Sequence, residues 1–185
     1  MTLHDNLVKL LAHRSARRGN FTLSSGKQSN LYIDARLTTM SPEGLVLIGA
    51  LGLEAINASG WNVKAVGGLT LGADPIAYAI SYASARTPSP LRAFTVRKAA
   101  KEHGTQQLIE GPFQSGDVVA IVEDVITTGD SALRAIQSVQ NAGGIIAGVL
   151  ALVDREERGR QKIEAHHFPV VCLATASEVL AQIPC

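Results

Sequence analysis

Residues 117–131 read DVVAIVEDVITTGDS. Residues 118–122 are apolar without a break, as expected of a strand buried on both faces in the middle of a parallel sheet. Two acids, Glu123 and Asp124, come next, and then threonines, a glycine and a serine. A helical pattern over residues 130–141 succeeds them, stopped by Gly143 and Gly144. A buried strand running through a short polar turn into a helix is the unit of an α/β fold.

The unit recurs along the chain. VKAVGG (63–68), LRAFTV (91–96), IIAGVLALVD (145–154) and PVVCLA (169–174) read as further buried strands. Helices are predicted from Ser41-Pro42-Glu43 to about residue 58, from Asp74-Pro75 to about 85, and over 177–182. Serine caps the first of these and proline enters its first turn. The alternation implies a mostly parallel sheet with helices on both faces. Ligands in such sheets bind beyond the carboxyl ends of the strands. Functional residues should therefore lie just after AVGG, AFTV, AIVED and ALVD.

The N-terminal part differs. Leu3, Leu7, Leu10 and Leu11 recur at helical spacing, with Arg14, Arg17 and Arg18 placed as cations near the C-terminal end of that helix. FTLSSGKQSNLYIDAR (21–36) reads as two short strands around a Ser-Gly turn. A stretch of about twenty residues, from Arg97 to Gly116, separates two strands and is long for a compact domain. Such segments tend to be lids or binding arms, and this one opens RKAAKEHG, with three cations, a histidine and one acid. Alone, it would read as a solvated basic loop.

With 185 residues, the length suits one domain spanning 1–185. A formal net charge of +1 gives no global field for nucleic acid. Charged ligands would be held by local clusters. The two cysteines, Cys172 in an apolar run and Cys185 at the end, have neither metal-ligand spacing nor a disulfide framework, and suit a reducing compartment. The N-terminus lacks the long apolar centre of a secretory signal. The longest apolar runs, residues 45–53 and 145–153, fall short of the roughly 18 residues a membrane span needs. A soluble cytoplasmic protein is expected.

The turn Thr127-Thr128-Gly129-Asp130-Ser131 allows two readings. Backbone N–H groups, hydroxyls and a helix N-terminus can cradle a monophosphate. Equally, the turn can be an ordinary helix start capped by Asp130. Neither the P-loop lysine nor GxGxxG is present, which speaks against a nucleoside triphosphate. The acids before the turn allow three readings: a carboxylate metal site, a polar strand end, or acceptors for sugar hydroxyls. The third accounts for both halves of the motif. A ribose 5-phosphate carries one phosphate for the turn and two vicinal hydroxyls for the acids, and carboxylates also stabilise positive charge on a ribose ring.

VEDVITTGDS, behind its apolar strand, resembles the phosphoribosyl-diphosphate signature of type I phosphoribosyltransferases. FTLSSGKQSNLYIDAR, RKAAKEHGTQQLIEG, VEDVITTGDS and LVDREERGR occur in the order seen in orotate phosphoribosyltransferases, and the likeness spans almost the whole chain. The chain is identified as a member of that family. The resemblance implies a type I phosphoribosyltransferase fold, with a central mostly parallel sheet, a small N-terminal hood (mainly 19–40) and a flexible catalytic loop (about 97–112). It implies transfer of ribose 5-phosphate from 5-phosphoribosyl 1-diphosphate to orotate, with Mg²⁺ on the diphosphate, no directly bound metal, and a homodimer with shared sites. It has no place for nucleic acid or membrane.

By the same resemblance, Glu123 and Asp124 hold the ribose hydroxyls. Thr127, Thr128, Gly129, Asp130 and Ser131 match the 5-phosphate loop, Val125 and Ile126 before them also bind phosphoribosyl diphosphate, and Thr127 also touches orotate. Arg97, Lys98, Lys101 and His103 bind the diphosphate, and Lys101 joins the two acids as catalytic. Arg155 grips the orotate carboxylate, for which its planar fork is suited, while Glu156, Glu157 and Arg158 read as a solvated charge run. The chain departs from the best-known members at Ser24, where they carry lysine, and at Thr70-Leu71, where they carry Tyr-Lys. Lys27 is the candidate to replace the lost lysine near orotate; Thr70 and Leu71 are expected to offer only backbone to the diphosphate. Two alternatives use the same fold: a transferase for another base, which lacks a use for Arg155, and a regulator that senses phosphoribosyl diphosphate.

Overall fold

The computed structural model describes residues 1–22, 28–99 and 108–183. Helix α1 (Leu3–Leu10) starts at a reciprocal cap: the Thr2 hydroxyl accepts the Asp5 N–H at 3.0 Å and the Asp5 carboxylate accepts the Thr2 N–H at 2.8 Å. A π-helical turn, Leu11–Ser15, prolongs it, and Leu7, Val8 and Leu11 are buried. The chain then turns extended into β1 (Ala16–Thr22), which pairs antiparallel with β2 (Gln28–Ile33). Arg17 and Arg18 therefore lie in a strand, not at a helix terminus. Ladder bonds to Tyr32 and Leu31 outweigh helix propensity there, and the Arg18 guanidinium donates to the Leu180 carbonyl at 2.9 Å.

A single helical turn, α2 (Arg36–Thr39), links this ribbon to α3 (Pro42–Ala58). Ser41 caps α3, accepting the Gly44 N–H at 3.1 Å, with proline in the first turn as expected. The remaining elements are β3 (Ala65–Leu69), α4 (Ala73–Ser84), β4 (Arg92–Val96), β5 (Ile109–Glu110), β6 (Val118–Ile126), α5 (Asp130–Asn141), β7 (Ile145–Asp154), α6 (Gly159–Ala165), β8 (Val170–Thr175) and α7 (Ala176–Ala181).

The main sheet has the order β5-β4-β3-β6-β7-β8. Every pairing is parallel except β5 on β4. Strand β6 is central, as its apolar run requires. Ala120 and Val122 join the core under α1, α3 and α4, while Val119 and Ile121 join the core under α5. From β3 the chain moves outward to β4; from β6 it moves the other way to β7. The order thus reverses between β3 and β6, and at such a point a crevice opens beyond the strand ends.

Two features differ from the sequence-based expectation. Inside the long segment, β5 pairs with Thr95 and Val96, and Asp117 pins the return to β6 by accepting the Gln114 N–H at 2.8 Å and Arg92 at 2.6 Å. Helix α6 has no counterpart among the predicted elements. The charge run before it faces solvent at Glu156 and Arg158, as expected, and Glu156, at φ 59°, also accepts the Ser177 N–H at 2.8 Å and its hydroxyl at 2.6 Å. Cys172 is a partly buried core residue whose thiol burial pushes up to about 12, so it is inert as a nucleophile.

Candidate active site

The end of β6 brings Glu123 and Asp124 to the mouth of the crevice. Glu123 is 7% exposed, and its Oε2 has no hydrogen-bond partner among the described residues. Burial, then the neighbouring Asp124 charge and a hydrogen bond with that carboxyl, push Glu123 well above the ordinary glutamate range. Asp124 turns the other way: its Oδ1 accepts the Val125 N–H at 2.9 Å, and its carboxylate lies against Gly72. A buried acid with an unsatisfied oxygen, beside a second acid, is an arrangement that a bound hydroxyl would complete.

Beyond these acids lies a cleft of about 480 Å³. On one side the loop after β3 contributes Thr70, Leu71 and Gly72, with a cis peptide between Thr70 and Leu71. Arg36, Lys98 and Ser131 complete the polar lining. Cations therefore share the cleft with the acids. Arg36 is aimed by a two-bond pair with Asp34, Nε to Oδ1 at 2.8 Å and Nη2 to Oδ2 at 2.9 Å. Lys98 is exposed, and its carbonyl meets the Arg134 guanidinium at 3.5 Å. Arg97, by contrast, reaches Glu110 at 3.5 Å and the Ala99 carbonyl at 3.3 Å.

The turn after β6 is held from behind. Gly129 caps α5 at φ 81°, and a Cβ there would lie 2.7 Å from the Gly159 carbonyl oxygen. Only glycine meets both conditions without strain. The Asp130 carboxylate accepts the Thr128 hydroxyl at 2.7 Å and pairs with Lys162 of α6. Those bonds hold Asp130 below the usual carboxylate range. The aspartate thus fastens α5 to α6, and what this turn can offer an anion is Ser131 together with the N–H groups opening α5. The Ile126 side chain belongs to the core under α5, and Val125, on the strand's other face, packs against the core under α1, α3 and α4.

Arg155 sits beside this turn at the end of β7, its N–H donating to the Ile126 carbonyl at 2.9 Å. Its guanidinium is buried and donates to Glu157 at 2.8 Å, which fixes the fork's direction. Thus β6, the turn and β7 gather Glu123, Asp124, Ser131 and Arg155 at one sheet edge, and Lys98 enters from β4. Lys27, Lys101 and His103 lie outside the described residues. Sequence reasoning missed Arg36; its only signal was an Asp-x-Arg ending the second ribbon strand. Gly72 was also missed, although the strand-end rule pointed to its loop.

No protein-family model matches the chain. The orotate phosphoribosyltransferase of Aquifex aeolicus is 44% identical over 183 residues, covering 97% of this chain and 99% of that one. The chain belongs to the orotate phosphoribosyltransferase family. A second orotate phosphoribosyltransferase, from Mycobacterium avium, is 47% identical over 165 residues, 89% of each chain. The solved orotate phosphoribosyltransferase of Mycobacterium tuberculosis H37Rv, in complex with Fe(III) dicitrate, superposes with a TM-score of 0.85 at 41% identity, covering 96% of this chain and 99% of that one. The same enzyme in complex with 5-phospho-α-D-ribosyl 1-diphosphate gives 0.81 at 38% identity, over 96% and 99%. An adenine phosphoribosyltransferase from Leishmania tarentolae shares the fold alone, with a TM-score of 0.64 at 16% identity over 93% and 88%.

Proposed function

We infer that this chain transfers the 5-phosphoribosyl group of 5-phospho-α-D-ribose 1-diphosphate to orotate, releasing diphosphate and giving orotidine 5′-phosphate, a step of pyrimidine nucleotide synthesis. The reading rests on the likeness to orotate phosphoribosyltransferases along nearly the full length of the chain. The acids and the α5 turn at one cleft support it.

The C1–oxygen bond to diphosphate breaks as a ring nitrogen of orotate bonds to C1, and the proton that nitrogen loses goes to the departing diphosphate or to solvent. Positive charge develops on the ribose ring, and Glu123 and Asp124 lie where it is offset. Glu123 and Asp124 hold the two ribose hydroxyls, Glu123 through the Oε2 that no described residue engages. Ser131 and the N–H groups at the start of α5 take the 5-phosphate. Lys98, with Lys101, His103 and Arg97 of the same segment, draws off the charge gathering on diphosphate. Arg155 and Thr127 orient orotate, and Lys27 is a further contact to it.

Among the described residues no cluster of three metal-ligating side chains occurs. Magnesium, which keeps company with substrate phosphates, is the ion this reaction calls for. Magnesium would be carried by the oxygens of the diphosphate, with no side chain binding it directly, and would neutralise charge on that leaving group. We place the enzyme in the cytoplasm as a homodimer whose loops complete each other's sites. An exposed apolar face on α3 and α4, with Val46 and Tyr82 at 73% and 85% exposure, supports the dimer. If sites are shared, mixing inactive Lys101→Ala with inactive Asp124→Asn restores activity through hybrids; no recovery with subunit exchange confirmed refutes sharing.

The acceptor is tested by product formation from phosphoribosyl diphosphate and Mg²⁺ with orotate, adenine, hypoxanthine or uracil. Turnover with orotate alone is expected. Turnover with a purine and none with orotate would overturn the assignment.

A further inference from the structure

We propose that Asp74 is a positioning residue for this reaction, fixing the loop after β3 against Asp124 and so setting where that loop meets the diphosphate. The proposal rests on the reading of that loop as a seat for diphosphate.

Asp74 lies in the first turn of α4 and is 9% exposed. Its Oδ2 accepts the Thr70 hydroxyl at 2.7 Å and its Oδ1 accepts the Thr95 hydroxyl at 2.9 Å. The Tyr78 hydroxyl lies 2.9 Å from Thr95 Oγ1. A threonine has one hydroxyl proton. Thr95 gives its proton to Asp74, so Tyr78 must donate to Thr95. Every proton in the chain then points toward the carboxylate, from Tyr78 through Thr95 on one side and from Thr70 on the other. Among the described residues no cation pairs with Asp74. The α4 N-terminus supplies the favourable potential instead.

An acid buried on two neutral hydroxyls gains little as a stabilising device. What it gains is geometry. Thr70 belongs to the cleft wall and Thr95 to β4, so one carboxylate ties the loop to the sheet. The Thr70 N–H, bonded to the Val96 carbonyl at 2.8 Å, holds the loop's start, and the Asp74 N–H meets the Leu71 carbonyl at 3.3 Å. The loop's other end has no slack: a Cβ on Gly72 would lie 2.5 Å from the Asp124 carboxylate. Movement of the loop is therefore felt at the acid that faces the ribose. Replacing Asp74 by Asn keeps the shape but turns an N–H₂ toward one of the two hydroxyls.

Phosphoribosyl diphosphate affinity, measured by calorimetry without orotate, separates positioning from a purely structural cap. Thr70→Val and Asp74→Asn should weaken it about tenfold, the cost of an unmade buried hydrogen bond. The Michaelis constant for orotate should stay within about twofold, and Thr70→Ser, which keeps the hydroxyl, should recover most of the loss. Wild-type affinity in Thr70→Val, or equal damage in Thr70→Ser and Thr70→Val, would overturn the proposal. So would equal weakening of both substrates. Because the titration needs no turnover, wild-type protein that binds the diphosphate donor but leaves orotate untouched refutes the acceptor assignment and not this one.

Discussion

Two strand-to-helix loops meet at the cleft, one after β6 and one after β3, and they are held in different ways. The first carries its chemistry in its letters: acids, hydroxyls and a glycine in αL conformation. It is braced by backbone, Gly129 against the Gly159 carbonyl, and by Asp130 reaching Lys162. The second reads LTLG, nearly apolar, and is braced by side chains, through Asp74 to Thr70 and through Asp124 to Gly72. Backbone bracing makes a loop matter for stability. Side-chain bracing makes it matter for where the reacting groups sit.

Substitution of the two glycines should separate these roles. Gly72→Ala must displace the Asp124 carboxylate, and misplacing a reacting group by about 1 Å can cost roughly a hundredfold in turnover. Its melting temperature should hardly change, because the displaced atoms end a side chain. Unchanged turnover would break the comparison at its strongest point. Gly129→Ala puts a Cβ on rigid backbone at positive φ and should lower unfolding free energy by about 2 kcal/mol in chemical denaturation.

Glu123 sharpens the comparison further. Its folded value is raised above the ordinary 4.5 of the unfolded chain, so the folded state binds the extra proton. Its penalty is absent below the unfolded value and grows as pH rises toward the folded one. Glu123→Gln should therefore match wild type near pH 4.5 and gain in melting temperature as pH is raised, while losing activity. A constant difference across pH would refute the buried-acid account. Lys162→Ala removes an exposed ion pair and should change stability by less than about 1 kcal/mol.

The unequal legibility of the two loops has a physical cause. The acids at the end of β6 and the hydroxyls after it are chemistry that can be named from residue type. The β3 loop works through backbone and through Asp74, which in the sequence is only an acid at a helix start. The buried strands were readable because unbroken apolar runs mark them. Arg17 and Arg18 misled because strand pairing with Tyr32 and Leu31 lies in a partner segment that helical spacing cannot see. The partner of the exposed Glu156, Ser177, is likewise 21 residues away and so not readable from local pattern. Arg36 became legible only when its pairing with Asp34 aimed it into the cleft.

The division of labour between the two sides of the cleft is tested most directly with the two halves of the donor. Ribose 5-phosphate and diphosphate are titrated separately against Lys98→Ala and Ser131→Ala. Lys98→Ala should weaken diphosphate and leave ribose 5-phosphate unchanged, and Ser131→Ala should do the reverse. If each variant weakens both halves equally, the two sides do not hold separate parts of one ligand, and the account fails.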